Sequence, residues 1–217
     1  LCTSVGRPRS SLTKSQRRVN QPAPAIYWFR QDLRIDDLPA LEAATAGGRA
    51  IIPCFILDDE SPGEWALGGA SRWWLHHSLK SLRESLSSKG GELVVRRGST
   101  TEELFALVQE TGATDIFCSE AYEPWSRNLE QDLAEQLTHA GAALHCLPGS
   151  LFFGPQNIRN GSGLPFKVFT PFWRHCMQKQ PEPLAPTATP LRPGQFFQQP
   201  LSGLTEAQWQ LLPHSPN

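Results

Sequence analysis

The charged run Arg30-Gln31-Asp32-Leu33-Arg34 is the first stretch of the sequence whose residue types could do chemistry. It follows residues 26–29, four apolar residues with a strong preference for β-strands. A change from apolar residues to alternating guanidinium and carboxylate groups is typical of a buried strand that surfaces into a working loop. Together with the charged groups that follow the other predicted strands, these side chains suit a polar, anionic and planar ligand.

Polar residues also follow the next three predicted strands. Asp58-Asp59 follow the second strand, Arg97-Gly98 the third and residues 119–127 the fourth, while Arg72 opens the longest predicted helix. In open α/β sheets, ligands bind outside the carboxyl ends of the strands, near the point where the strand order reverses. The sequence therefore predicts a ligand-binding site at this edge of the sheet.

The sequence contains no self-contained catalytic or metal motif. No G-x-G-x-x-G follows the first strand, and no G-x-x-x-x-G-K-[ST] occurs in the chain. His76 and His77 are adjacent and would point about 100° apart on a helix, which argues against a shared metal ion. Trp73 and Trp74 are interpreted as packing residues of a helix that covers a sheet. We therefore assign no catalytic residue and no metal ligand.

Composition excludes several classes of protein. The 217 residues contain 20 Lys and Arg against 21 Asp and Glu, so no whole-molecule field favours nucleic acid. Five cysteines form no C-x-x-C pair, which indicates neither a disulfide framework nor a zinc site. Cys54, Cys118 and Cys146 are predicted to be buried thiols in a reducing compartment. No signal peptide and no apolar run of about 20 residues occurs. We expect a protein without membrane contact inside the cell, in the cytoplasm of a bacterium, or in an organelle or the nucleus of a eukaryote.

The elements that must position the candidate site alternate between strand and helix. Strands are predicted at residues 25–29, 50–57, 92–97, 114–118 and 143–147, and helices at 36–44, 71–89, from 100 and from 126 to 141. Thr100-x-x-Glu103 resembles a capping box for the third helix. Continuous strand hydrophobicity with short connections predicts an α/β fold: a doubly wound, mostly parallel five-stranded sheet, Rossmann-like, with helices on both faces.

The flanking regions differ from residues 25–148. Residues 1–24 are basic, lack acidic residues and are predicted to be a disordered extension. Residues 149–180 are irregular and aromatic, with a helix expected from Pro171 and Thr170 as its cap. Residues 181–217 are rich in proline and are predicted to be an extended linker, with a short helix capped by Thr205-x-x-Gln208. The chain begins with Leu, so we expect it to be part of a longer protein.

Four motifs, in order, resemble the DNA photolyase and cryptochrome family. They are W-F-R-Q-D-L-R-I-D-D at residues 28–37 with Ala40-Leu41, F-I-L-D at 55–58, G-A-S-R-W-W-L-H-H-S-L at 69–79 and G-S-G-L-P-F-K-V-F-T-P-F-W at 161–173. The likeness covers about residues 25–180. Leu38 stands where the family usually has Asn, and Trp125-Ser126 replace the Asn-Glu pair of folate-binding members, which argues against their mode of folate binding.

The resemblance implies that residues 25–148 form an N-terminal antenna domain for a light-harvesting chromophore, which in the family is a deazaflavin, a folate or a flavin. The pocket residues, carried over by position, are Leu57, Asp58, Arg72, Tyr122, Glu123, Pro124, Trp125, Ser126 and Arg127. Excitation would pass to FAD in a helical domain outside this chain, and the whole protein would repair pyrimidine dimers in damaged DNA as a carbon–carbon lyase. Residues 149–180 would dock the sheet domain against the helical domain in cis, and residues 181–217 would lead into that domain. The chain alone is expected to be inactive, and the protein to be a monomer.

Two alternatives remain open at the level of sequence. One is the N-terminal domain of a cryptochrome, a blue-light photoreceptor without repair activity, since the residues that separate it from a photolyase would lie in the helical domain. The other is a free-standing α/β nucleotide-binding module. The aromatic segment and the Pro-rich exit argue against this second alternative.

Overall fold

Five parallel strands form the centre of the protein. The computed structural model describes residues 22–149, 151–179 and 191–212. The strands are β1 (Ala25–Phe29), β2 (Ile51–Leu57), β3 (Val94–Arg97), β4 (Asp115–Ser119) and β5 (Ala143–Leu147), in the order β3-β2-β1-β4-β5. All four pairings are parallel, and the strand order reverses between β1 and β4. The predicted doubly wound sheet is confirmed.

Helices cover both faces of the sheet. They are α1 (Pro39–Thr45), α2 (Gly69–Ser87), α3 (Thr100–Thr111), α4 (Pro124–His139) and α5 (Phe169–Gln178). The apolar sides of α1 and α2 pack in one core cluster, and those of α3 and α4 pack in a second cluster. The predicted stripe on α2 is correct, because Leu79, Leu82 and Leu86 are buried and Leu75 packs against them. Regular spacing of apolar residues thus fixes the orientation of each helix on the sheet.

Two of the three predicted helix caps are wrong. Helix α3 has no side-chain cap at Ser99, and its first residue, Thr100, donates its backbone N–H to Asp58 instead. Helix α5 begins at Phe169 after Val168, with no cap from a side chain. The capping box of Thr205 and Gln208 is present and opens a 3₁₀ turn, Glu206–Trp209.

Residues 191–212, which we call the strap, do not form the predicted extended linker but pack into the sheet domain. Ile51 donates its N–H to Gln195 and accepts a hydrogen bond from Phe197, so the strap continues the sheet beside the start of β2. Further along, Leu204 donates to Val95 of β3 at 2.7 Å. Phe196 and Trp209 are 2% and 0% exposed. The strap therefore covers the β3 edge of the sheet and completes one of its two cores. The expectation of a free, extended spacer is therefore wrong for these residues, and their role in leading to a further domain stays a prediction.

The segment 151–179 packs loosely. Ile158 and Cys176 are buried, but Phe152, Phe169 and Met177 are 75%, 70% and 66% exposed. The segment thus presents an apolar surface instead of a core of its own.

The predicted disordered extension falls outside the described residues for positions 1–21, and so do residues 181–190 and 213–217 of the predicted linker and residues 150 and 180 of the predicted docking segment. Among the described residues, no helix has the length and apolar character needed to cross a membrane.

Candidate functional site

A cleft lies at the carboxyl ends of the strands, at the edge that the sequence predicts. Its volume is about 1710 Å³, larger than the roughly 300–1,000 Å³ of ordinary small-molecule pockets. The ends of β1 and β2, helix α2 and the start of α4 line it, and Leu211 of the strap reaches it. The strand order reverses beside this cleft, which is where open α/β sheets bind ligands.

One side of the cleft is closed by a buried polar network, which we call the β1–β4 wall: Arg30, Asp32, Ser119, Ser126 and Glu130. The Arg30 guanidinium donates to the Glu130 carboxylate, to the Ser126 hydroxyl and, at 3.3 Å, to the Ser119 carbonyl. It also lies 4.5 Å from the centroid of the Trp28 ring. The side chains of Arg30 and Glu130 are only 9% and 10% exposed. Their hydrogen bonds are directed at each other, so they position the loops and leave little capacity for a ligand.

The side chains of Asp32 and Arg34 also form hydrogen bonds with other groups of the protein. The Ser119 hydroxyl donates to Asp32, and a Cβ atom on Gly149 would meet that hydroxyl at 2.6 Å. Arg34 donates to the carbonyl oxygens of Asp37 at 3.0 Å and of Gly149 at 3.3 Å. Asp37 has a φ of 58°, which is uncommon for a residue other than glycine. Arg34 therefore holds a strained turn against the end of β5.

Asp58 joins three elements at the floor of the cleft. Its carboxylate accepts hydrogen bonds from the N–H groups of Glu60, Ser61 and Thr100 and from the hydroxyls of Ser61 and Thr100. Burial raises the pKa of Asp58, but the hydrogen bonds from Ser61 and Thr100 together hold it below its usual value. Asp58 thus serves as the anion at the N-terminus of α3.

The opposite side of the cleft, which we call the α2 wall, is more open: Trp65, Leu67, Arg72, Trp74 and His77. Arg72 donates to the Leu67 carbonyl at 3.0 Å and to the Asp59 carboxylate. Asp59 also accepts a 2.7 Å bond from Arg97, which donates in turn to the Trp209 carbonyl of the strap. The side chains of Arg72 and Asp59 are 27% and 39% exposed. The Arg72 guanidinium is therefore held in place at the cleft without being buried.

Large aromatic rings face solvent on the α2 wall. Trp65 is 72% exposed and Trp74 69%, and both line the cleft. Trp73 is 48% exposed and contacts His77 at a ring distance of 4.3 Å. The interpretation of Trp73 and Trp74 as packing residues is therefore wrong. Flat indole faces and a fixed guanidinium that line the same cleft suit a planar ring that carries negative charge.

The loop after β4 contributes part of the predicted site. Gln31 donates to Glu123 at 2.8 Å, and this bond holds the pKa of Glu123 below its usual value. Burial raises the pKa of Tyr122, and the Glu120 carboxylate beside it raises that pKa further. Pro124 and Trp125 open α4 at the rim.

The structure brings most of the predicted pocket residues to one cleft. Those that line it are Leu57, Asp58, Arg72, Glu123, Pro124, Trp125 and Ser126, whereas Tyr122 and Arg127 are not among its lining residues. Ser126 is fully buried, with its hydroxyl bound to Arg30. A role for each in binding a ligand stays a prediction.

The residues that line the cleft and that sequence reasoning missed include Trp65, Trp74, His77 and Leu211. Trp74 directly precedes Leu75 of the buried stripe, so it points about 100° away from the core. This spacing could have identified it as an outward-facing ring. Leu211 carries no local signal, because only the path of the strap brings it to the cleft.

The described part of the chain contains no cluster of three or more His, Cys, Asp or Glu residues able to hold a metal ion. The arrangement can bind and orient a planar ligand. The carboxylates that line the cleft already accept hydrogen bonds from the protein: Asp32 from Ser119, Asp58 from the start of α3, Asp59 from Arg72 and Glu123 from Gln31. The geometry therefore favours binding over acid–base chemistry.

Comparison with known proteins identifies the family. The family model described as DNA photolyase matches residues 25–191. A deoxyribodipyrimidine photo-lyase of Agrobacterium fabrum is 38% identical over 195 residues, which are 90% of this chain and 40% of that protein. Cryptochrome-1 of Arabidopsis thaliana is 35% identical over 167 residues, 76% of this chain and 24% of that protein. The crystal structure of a bacterial class III photolyase from Agrobacterium tumefaciens superposes with a TM-score of 0.77 at 34% identity, covering 90% of this chain and 40% of that one. The sheet, the cleft and these matches together show that the chain belongs to the DNA photolyase family.

Proposed function

We propose that this chain is the N-terminal light-harvesting domain of a deoxyribodipyrimidine photolyase. The chain spans 40% of the length of the Agrobacterium fabrum relative, so the activity proposed here is that of a longer protein. In that protein a chromophore in the cleft would absorb light and pass the excitation to FAD in a helical domain, for repair of pyrimidine dimers in damaged DNA. The proposed units are residues 25–148 with the strap as the sheet domain, and residues 149–180 as the docking segment.

The α2 wall is the observation that carries the proposal. It combines the exposed indoles of Trp65 and Trp74 with an oriented guanidinium at Arg72. A deazaflavin, folate or flavin offers a planar ring that can stack on an indole, together with anionic or carbonyl groups that accept hydrogen bonds. The residues present therefore fit such a group. Trp28 and Leu57, both nearly buried, close the apolar floor beneath it.

The exposed apolar surface of residues 151–179 supports a second domain in cis. On α5, Phe169 and Trp173 stack with their ring centroids 6.2 Å apart, and both rings are at least half exposed. Soluble proteins seldom leave several neighbouring large apolar side chains uncovered. We infer that the helical FAD domain covers this segment in the longer protein.

Retention of a chromophore tests the role of the cleft. The chain is incubated separately with a deazaflavin, a reduced folate and a flavin and passed over a desalting column, and the bound ligand is measured by absorbance. We expect one ligand to co-elute with the wild-type chain and to be lost in Arg72→Ala. Arg49→Ala is the matched control, because it removes a guanidinium paired with Asp115 at the opposite end of the sheet. Equal retention by the two variants would remove Arg72 from the site.

Repair activity separates the photolyase from the cryptochrome, which is the second candidate because Arabidopsis cryptochromes match at 35% and 32% identity. The longer protein is illuminated with blue light in the presence of dimer-containing DNA, and the remaining dimers are counted. Loss of dimers supports a photolyase, and light-dependent flavin reduction without dimer loss supports a cryptochrome. The 217-residue chain alone should leave the dimers intact.

A further inference from the structure

Two cysteines face each other across the edge of the sheet, away from the cleft lining. Cys118 of β4 and Cys146 of β5 are directly paired in the parallel register. Their sulfur atoms are 3.5 Å apart, within hydrogen-bond distance and beyond the length of a disulfide bond. The chain therefore holds a pair of free thiols whose side chains lie on the same face of the sheet.

The geometry allows the pair to become a disulfide with little movement. Neighbouring strands lie about 4.7–4.9 Å apart, inside the range of about 4.4–6.8 Å between Cα atoms that disulfides span. The sulfurs must approach each other by roughly 1.5 Å to reach a bond length of about 2.05 Å. Strand β5 is the outer strand of the sheet and is only partly buried, so it can adjust more easily than β4.

The two thiols differ in access and in acidity. Cys118 is fully buried, whereas Cys146 is half-buried, so the prediction that Cys146 is a buried thiol is wrong. The hydrogen bond between the two sulfurs raises the pKa of Cys118, and burial raises it further, while the same bond lowers the pKa of Cys146. Because the thiolate is the reactive form of cysteine, Cys146 is the member of the pair that reacts first with an oxidant.

We propose that Cys118 and Cys146 form a peroxide-reactive dithiol, a modification site in which Cys146 is oxidised and Cys118 resolves it. In the first step the Cys146 thiolate attacks hydrogen peroxide, an S–O bond forms, the O–O bond breaks, and the released hydroxide takes up a proton as water. In the second step the Cys118 sulfur attacks the sulfenic acid, and the hydroxyl group leaves as a second water with the Cys118 proton. Two thiols are oxidised and one peroxide is reduced.

The disulfide would stiffen the strand ends behind the β1–β4 wall. Cys118 directly precedes Ser119, whose carbonyl and hydroxyl contact Arg30 and Asp32. Cys146 directly precedes Leu147, which accepts a 2.8 Å hydrogen bond from the N–H of Glu120. A bond between the sulfurs ties β4 to β5 one residue before these contacts. Reduction by a dithiol would restore the original pair.

Peptide mapping by mass spectrometry tests the proposal on the full 217-residue chain. After a small molar excess of hydrogen peroxide, we expect a peptide that links Cys118 to Cys146 and has lost the mass of two hydrogens, and we expect dithiothreitol to remove it. In Cys118→Ala the link is lost and dimedone instead labels Cys146. In Cys146→Ala both the link and the dimedone label at this position are lost.

Cys54→Ala is the matched control, because Cys54 is a fully buried thiol of the same sheet and burial raises its pKa. This variant should form the link like the wild type. A wild-type chain without the linked peptide after peroxide, or a stable dimedone adduct on Cys146 in the wild type, would overturn the proposal. If Cys118→Ala fails to fold, the wild-type peptide map alone decides between these outcomes.

Discussion

The β1–β4 wall and the α2 wall both place an arginine against a carboxylate, and they differ in how much water reaches the pair. Arg30 and Glu130 are 9% and 10% exposed, whereas Arg72 and Asp59 are 27% and 39% exposed. Breaking a buried ion pair costs much stability, because the charge that remains is left desolvated and without a partner. A solvent-exposed ion pair contributes little to stability, and its charged groups stay available to a ligand. Burial therefore separates the structural arginine of this cleft from the candidate binding arginine.

The largest effect on stability is expected for Arg30→Ala. This change leaves the buried carboxylate of Glu130 without its partner and removes the donor to Ser126, so we expect a loss of about 3–5 kcal/mol in the free energy of unfolding. Urea denaturation followed by circular dichroism measures the loss. Arg127→Ala is the control, because its 53% exposed side chain lies 3.9 Å from the same carboxylate and should contribute less than about 1 kcal/mol. Similar losses in the two variants would contradict the assignment of the β1–β4 wall as structural.

A smaller effect is expected for Asp58→Asn at the floor between the walls. The Asp58 carboxylate accepts hydrogen bonds from Glu60, Ser61 and Thr100 with two oxygens, whereas an amide has only one acceptor oxygen. We therefore expect the free energy of unfolding to fall by about 1–3 kcal/mol at neutral pH, as measured by urea denaturation. Asp132→Asn on the exposed face of α4 should cost less than about 0.5 kcal/mol. Equal losses would mean that Asp58 does not hold the start of α3.

The pH dependence follows from the lowered pKa of Asp58. A carboxyl group with a lower pKa in the folded state adds stability that is complete above its unfolded pKa, about 3.9 for Asp. This contribution is lost as the pH falls through the folded pKa. The difference between wild type and Asp58→Asn should therefore be constant near neutral pH and shrink below about pH 4. A difference that persists unchanged into strong acid would exclude the ionised carboxylate as its source.

Local patterns predicted the sheet well and the connections between distant elements poorly. Continuous apolar runs located β1 and β5 at their exact ends, and the Leu stripe located α2. The start of α3 was predicted in the right place for the wrong reason, since its anion is Asp58, 42 residues away, and not a local cap. The strap was missed because its pairing with Ile51 is a long-range contact and its proline content resembles that of a linker.

The candidate site, too, was predicted where it depends on the strand ends and missed where it depends on contacts between distant residues. The rule for open sheets located the cleft from the strand ends and already included Arg72 and the loop after β4, and the resemblance led to the same residues and added Leu57. The sequence did not separate Arg30, which directly follows β1, from Arg72, which lies in the first turn of α2, since both are arginines expected at the same edge of the sheet. Only the packing of Ser126 and Glu130 around Arg30 shows that its donors are used internally.

The smallest effect on stability is expected for Arg72→Ala. Its pair with Asp59 is partly exposed, and Asp59 keeps Arg97 as a partner, so the free energy of unfolding should fall by less than about 1 kcal/mol. The same change should abolish chromophore retention, whereas Arg30→Ala should lower stability several-fold more. Urea denaturation and ligand retention are measured on the same preparations of both variants. A loss of stability in Arg72→Ala as large as that in Arg30→Ala would mean that the α2 wall, too, is held together by its charges, and the distinction between a structural and a binding arginine would fail.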